Sequence, residues 1–148
     1  MRSIPDQPVD WDTIFSIFKD EIIPRLNSVA NKHFLAYIPG DPAPPAMIGA
    51  MITPVLNQFI GSMIGSPGGV VIEGLALHWI KQMMDYPESA GACFTSGGSV
   101  ANLTGLYSGL INKAPWIKND GLFGNKKPLV YCSDQTHNSI TKALLLLG

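Results

Sequence analysis

Three short stretches carry residue types that could do chemistry. The sharpest is Thr95-Ser96-Gly97-Gly98-Ser99-Val100-Ala101-Asn102-Leu103, a small-residue turn ahead of a helical pattern. Glycines let a backbone approach a ligand closely. The first amides of a helix aim their N–H groups, and the positive end of its dipole, at whatever sits there. The natural guest is an anion such as phosphate, received around Gly97 and Gly98, with Ser99 as the N-cap residue lending its hydroxyl. A plain capped turn, with glycines serving geometry alone, fits the same residues. Neither a GxxxxGK[ST] nor a GxGxxG pattern occurs, so ATP and dinucleotides find no support.

The second stretch is Ser133-Asp134-Gln135-Thr136-His137-Asn138-Ser139. An imidazole after a strand, at the edge where α/β sheets bind ligands, can stack on an aromatic ring or act as acid or base. Taken alone, His137 reads more readily as a capping or surface histidine, and Asp134 as a local cap. The third is Phe34-Leu35-Ala36-Tyr37-Ile38-Pro39-Gly40, whose aromatic ring and rigid proline could line an apolar pocket or simply pack the loop. His33, His78 and His137 have no Cys or carboxylate at ligand spacing, so no metal site is expected.

These residues need elements to position them. Residues 11–28 place Trp11, Ile14, Phe15, Phe18, Ile22 and Leu26 at helical spacing, with Asp10 or Asp12 as N-cap and a bend at Pro24. Four prolines and a glycine between His33 and Pro45 forbid helix and predict an ordered extended loop. Helices are predicted over 46–64 and 70–84, the second closed by Tyr86-Pro87. Then come a strand over 91–95, a helix over 99–110, a strand over 128–132, and a helix from His137 onward. That order predicts an α/β class: N-terminal helices followed by the opening of a mostly parallel sheet. Two strands are too few for such a sheet, and the chain stops in an apolar run, Leu144 to Leu147, so an incomplete fold is expected. The division by role falls at Pro87: residues 1–87 as a helical, interface-forming segment and 88–148 as the start of a ligand-binding α/β domain.

Composition narrows the classes. With 148 residues, 46% hydrophobic, 14% charged, 15 Gly and 12 Pro, the chain is neither a disordered tail nor a coiled coil. A net charge of −1 gives no electrostatic footprint for nucleic acid or anionic lipid. Residues 42–72 contain no charge, but Pro54, Asn57, Gln58, Ser62 and the Ser66-Pro67-Gly68-Gly69 break interrupt any membrane span and favour a buried or subunit-facing segment. The N-terminus has no apolar signal region. Cys93 and Cys132 are expected as buried thiols in a reducing cytoplasm.

Taken together and in order, His33 to Pro39, Ser66-Pro67 with Glu73 and Trp79, Thr95 to Leu103, and Ser133 to Ser139 resemble the pyridoxal-phosphate-dependent amino-acid decarboxylases that include the aromatic-L-amino-acid, histidine and glutamate enzymes. The likeness runs from about Pro5 to Leu147. It implies a fold-type-I carboxy-lyase of amino-acid metabolism, with pyridoxal 5′-phosphate as cofactor, an amino acid as substrate, and a homodimer or a complementary C-terminal chain as partner. By position, it implies Gly97, Gly98 and Ser99 at the cofactor phosphate, His137 stacked on the pyridine ring and serving in protonation, and Tyr37, Ile38 and Pro39 along the substrate. Gly40 stands where some aromatic-acid members carry a hydroxyl residue.

Two residues central to the family chemistry have no match. One is a lysine after a histidine that joins the cofactor covalently, and the other is an aspartate that pairs with the pyridine nitrogen. None of the eight lysines, Lys19, Lys32, Lys81, Lys113, Lys118, Lys126, Lys127 and Lys142, follows a histidine, so the chain alone is expected to be inactive. The resemblance also leaves room for aldehyde-forming or aldol-type relatives and for a non-catalytic dimerising remnant.

Overall fold

The computed structural model describes residue 4 and residues 6–122 and 128–148. They divide into two compact units, Met1–Asn57 and Gln58–Gly148. This is a division by contact and does not bear on the division by role at Pro87.

In the first unit, α1 (Trp11–Ile17) begins where the sequence places a cap. The Asp10 carboxylate accepts the Thr13 backbone N–H at 2.9 Å and the Thr13 hydroxyl at 2.8 Å. Those two bonds favour the ionised form and hold the carboxyl below its ordinary range. The helix widens into a π-type turn over Phe18–Ile22, tightens into a 3-10 turn over Ile23–Arg25, and stops three residues short of the expected end. Pro24 lies in that last turn and has no N–H for an intrahelical bond. α2 (Pro44–Leu56) starts with Pro44 at its first position. It ends at Asn57, in the left-handed conformation at φ 43° and ψ 48°, rather than running to residue 64. Asn tolerates that cap better than most residues, a stop signal the apolar periodicity concealed.

In the second unit, α3 (Pro67–Met83) starts earlier than periodicity implied. Buried Ser66 caps it by accepting the Gly69 N–H at 3.3 Å, with Pro67 at the first position. α4 (Gly98–Lys113) follows, then a short α5 (Ile117–Asp120) that sequence patterning missed, and finally α6 (Asn138–Leu147). α4 and α6 pack against one another.

No strand forms among the described residues. Both predicted strands, 91–95 and 128–132, run without regular structure. A strand exists through its ladder, and neither stretch finds a backbone partner here, so β-prone Phe94, Val130 and Tyr131 stay exposed. The same absence of cover corrects the cysteine expectation: Cys93 and Cys132 are free and exposed, not buried. The buried described residues are Ser66, Ala114, Ser139 and Ala143, all in the second unit. That is far less core than the length allows.

Candidate functional site

The turn before α4 supplies the first half of the site. Gly97, not Ser99, is the N-cap residue, and no side chain caps the helix. Gly97 sits at φ 158° and ψ 170°, a backbone conformation that side-chain-bearing residues rarely adopt. A Cβ added at Gly97 or Gly98 would meet nothing within 4 Å, so the space ahead of the helix is open. Its first internal bond runs from the Ala101 N–H to the Gly97 carbonyl at 3.0 Å. The amides of Gly98, Ser99 and Val100 therefore have no acceptor among the described residues, which is the rule for a helix start. Ser99 is exposed, with its hydroxyl uncommitted to the cap. The Thr95 hydroxyl donates to the Gly97 carbonyl at 3.1 Å and steadies the turn.

The second half is the start of α6, where His137 is the N-cap residue. Its Nδ1 accepts the Ser139 backbone N–H at 3.2 Å and lies 2.8 Å from the Ser139 hydroxyl. Ser139 Oγ in turn accepts from Asn102 Nδ2 of α4 at 2.8 Å, a bond across 37 positions of sequence. The bland reading of His137 as a cap is thus realised through one ring nitrogen, while Nε2 has no partner among the described residues. Sequence reasoning gave Asn102 and Ser139 no role. The available signal was the spacing of Ser139 two residues after a helix-capping side chain.

Upstream, Lys81 of α3 donates to the carbonyls of Glu88 and Ala90, both at 3.0 Å, and ties down the approach to the turn. Tyr37, Ile38 and Pro39 belong to the other unit and are exposed. Tyr37 and Ile38 adopt positive φ values of 62° and 50°, unusual for bulky and β-branched side chains. Among the described residues, no group of three His, Cys, Asp or Glu side chains could hold a metal ion. A cavity of about 490 Å³ lies along the far half of α4, lined by Leu106, Leu110, Val130 and Leu144. Its lining contains neither His137 nor the Gly97–Ser99 turn.

The pyridoxal-dependent decarboxylase conserved domain matches residues 1–148, the whole chain. The chain belongs to that family. Aromatic-L-amino-acid decarboxylase of Bacillus atrophaeus is 32% identical over 99% of this chain and 29% of its own length. Tryptophan decarboxylase 2 of Oryza sativa subsp. japonica is 28% identical over 99% of this chain and 30% of its own. Phenylacetaldehyde synthase of Arabidopsis thaliana is 26% identical over the same shares. The chain therefore spans about three tenths of the length of the curated relatives it matches. No solved structure matches it.

Membership relates the chain to the fold-type-I enzymes and brings pyridoxal 5′-phosphate as the family cofactor. The residues present fit a phosphate. Three adjacent N–H donors, a serine hydroxyl and open space at a helix start suit an anion.

Proposed function

We propose that this chain is the N-terminal portion of a cytoplasmic, pyridoxal-phosphate-dependent amino-acid decarboxylase, with residues 1–87 forming interface and pocket wall and 88–148 opening the cofactor domain. The observation that carries this reading is the start of α4: unpartnered amides at Gly98, Ser99 and Val100 beside the Ser99 hydroxyl and an open Gly97–Gly98 turn. In a sheet completed beyond these residues, stretches 91–95 and 128–132 take up strand pairing.

When bound, pyridoxal 5′-phosphate supplies the electron sink for the pair left behind as CO2 departs from the amino acid. The chain's own residues bind and orient. The α4 amides and Ser99 hold the phosphate, fixing position through charge-assisted hydrogen bonds. His137 would stack on the cofactor ring and, in its doubly protonated form, would supply through Nε2 the proton that the substrate carbon takes up, returning to the neutral ring. Tyr37, Ile38 and Pro39 form an apolar substrate wall, which favours an aromatic side chain. The charge-free segment 42–72, with Met51, Val55 and Ile64 exposed at 73%, 82% and 97%, is the homodimer face. With no lysine after a histidine, the chain by itself does not turn over.

Binding of pyridoxamine 5′-phosphate against pyridoxamine, by calorimetry, tests the phosphate site. The phosphorylated form should bind selectively, and Ser99→Ala should weaken it roughly tenfold, the worth of one hydrogen bond to a charged group. Equal binding of both probes would overturn the reading. Purified chain with added pyridoxal 5′-phosphate should release no CO2 from aromatic amino acids, and sustained release would refute inactivity. The aldehyde-forming alternative draws on the likeness to phenylacetaldehyde synthase and would yield aldehyde rather than amine in the complete enzyme.

A further inference from the structure

The bonds at the start of α6 have a direction. A backbone N–H can only donate, so the bond from Ser139 N to His137 Nδ1 at 3.2 Å requires Nδ1 to be free of a proton. The Ser139 hydroxyl, 2.8 Å from the same nitrogen, must then donate to it as well. That leaves Ser139 Oγ as an acceptor, and Asn102 Nδ2, which can only donate, fills the role at 2.8 Å. The proton order is therefore Asn102 to Ser139 to His137, which forces the neutral imidazole to carry its proton on Nε2. Ser139 is 2% exposed and Asn102 is half-buried, so water does not readily replace either bond. Two separate helices share this chain of bonds: α4, whose first turn holds Gly98 and Ser99, and α6, which begins after His137.

We propose that Asn102 and Ser139 are positioning residues that lock the tautomer and orientation of His137, presenting Nε2–H outward and tying the imidazole to the helix that forms the phosphate cradle. This rests on the reading of His137 as the imidazole that meets the cofactor ring, and it adds two residues whose work is done through another side chain. Asn102 lies one turn into α4, four residues after Gly98. The helix that receives the phosphate therefore also sets the proton on the histidine.

The test reads the proton itself. The chain has three histidines, so a His33→Gln/His78→Gln background leaves one imidazole, and ring-15N NMR reports protonation at each of its nitrogens in solution or in a sedimented sample. Under conditions where the ring is neutral, the parent should show Nε2 protonated and Nδ1 bare. Asn102→Asp keeps size but replaces the donor with an acceptor, so the serine hydroxyl turns away from Nδ1. The share of ring protonated at Nδ1 should then rise about two- to tenfold, the worth of one neutral hydrogen bond. Ser139→Ala should do the same, while Ser139→Thr, which keeps the hydroxyl, should hold the parent tautomer.

A parent protonated at Nδ1 would overturn the proposal, as would a tautomer ratio unmoved by both Asn102→Asp and Ser139→Ala in variants that keep the parent's far-UV circular dichroism. Should Asn102→Asp lose its helical signal, the contrast between Ser139→Ala and Ser139→Thr decides. Pyridoxamine 5′-phosphate selectivity separates the two readings. Its loss with an intact tautomer response breaks the cofactor assignment alone, and its persistence with an unresponsive tautomer breaks this proposal alone.

Discussion

The two units hold themselves together by different means. In Met1–Asn57 the side-chain hydrogen bonds of Asp10, Arg25, Asn31 and Thr53 each span four residues or fewer, and every described residue is exposed except half-buried Phe34. In Gln58–Gly148, Lys81 reaches nine positions to Ala90, Asn102 reaches 37 to Ser139, and small buried residues sit where helices meet. The first unit is a set of locally capped helices with their apolar faces unspent. The second has a tertiary contact, and the histidine is oriented at that contact. Local signals suffice to start and stop a helix, but a reactive side chain is aimed by a partner distant in sequence.

The largest expected effect comes from overfilling the α4–α6 contact. Ala143 is 2% exposed, and Ala143→Leu should cost about 1–3 kcal/mol in urea unfolding, the usual penalty for forcing extra methylenes into a packed site. Ala46→Leu on exposed α2 should stay within about 0.5 kcal/mol. Equal costs at the two sites would break the contrast between the units.

A smaller effect separates two glycines of α3. A Cβ at Gly69 would lie 2.5 Å from Ile60 Cγ2 and 2.7 Å from the Ser66 hydroxyl that caps the helix, whereas one at Gly74 would meet nothing within 4 Å. Gly69→Ala should therefore destabilise by about 1 kcal/mol through the displaced cap. Gly74→Ala should stabilise by up to about 1 kcal/mol through helix propensity. Thermal unfolding followed by circular dichroism gives the sign of each.

The smallest effect tests how local the first unit is. The Asp10 carboxyl is held below its ordinary range by the Thr13 N–H and then the Thr13 hydroxyl, so the folded pKa lies under the unfolded one. The cap's contribution is then complete above the ordinary carboxylate pKa and is lost as pH falls through that range to the lower folded value. The Thr13 amide resonance should follow this loss on acidification. In Asp10→Asn, which keeps an accepting oxygen, it should stay flat. Movement of the Thr13 amide in Asp10→Asn over the same range would show that the cap is not set by the Asp10 carboxylate.

Much of the helical layout was legible in the sequence because its determinants are short-range. Asp10 marks a helix start through one side chain, as expected, whereas the starts at Ser66-Pro67 and Gly97-Gly98 lie three residues and one residue ahead of the starts that periodicity gave. The errors came where apolar periodicity continued past a stop that only a backbone conformation supplies, as at Asn57, or where strand-like residues lacked a ladder partner, as at 91–95 and 128–132. Exposure of Cys93 and Cys132 follows from the same missing partner.

The sequence by itself determined the family, because four motifs in order over one chain are a one-dimensional signature that needs no coordinates. It also determined the types of donor gathered at the start of α4. Only the tertiary structure decided which nitrogen of His137 is free, because that depends on Ser139 and on an asparagine 37 residues before it, brought within 2.8 Å by the packing of α4 on α6. Such a bond has no periodicity to betray it. It exists when two helices meet at one register and not otherwise.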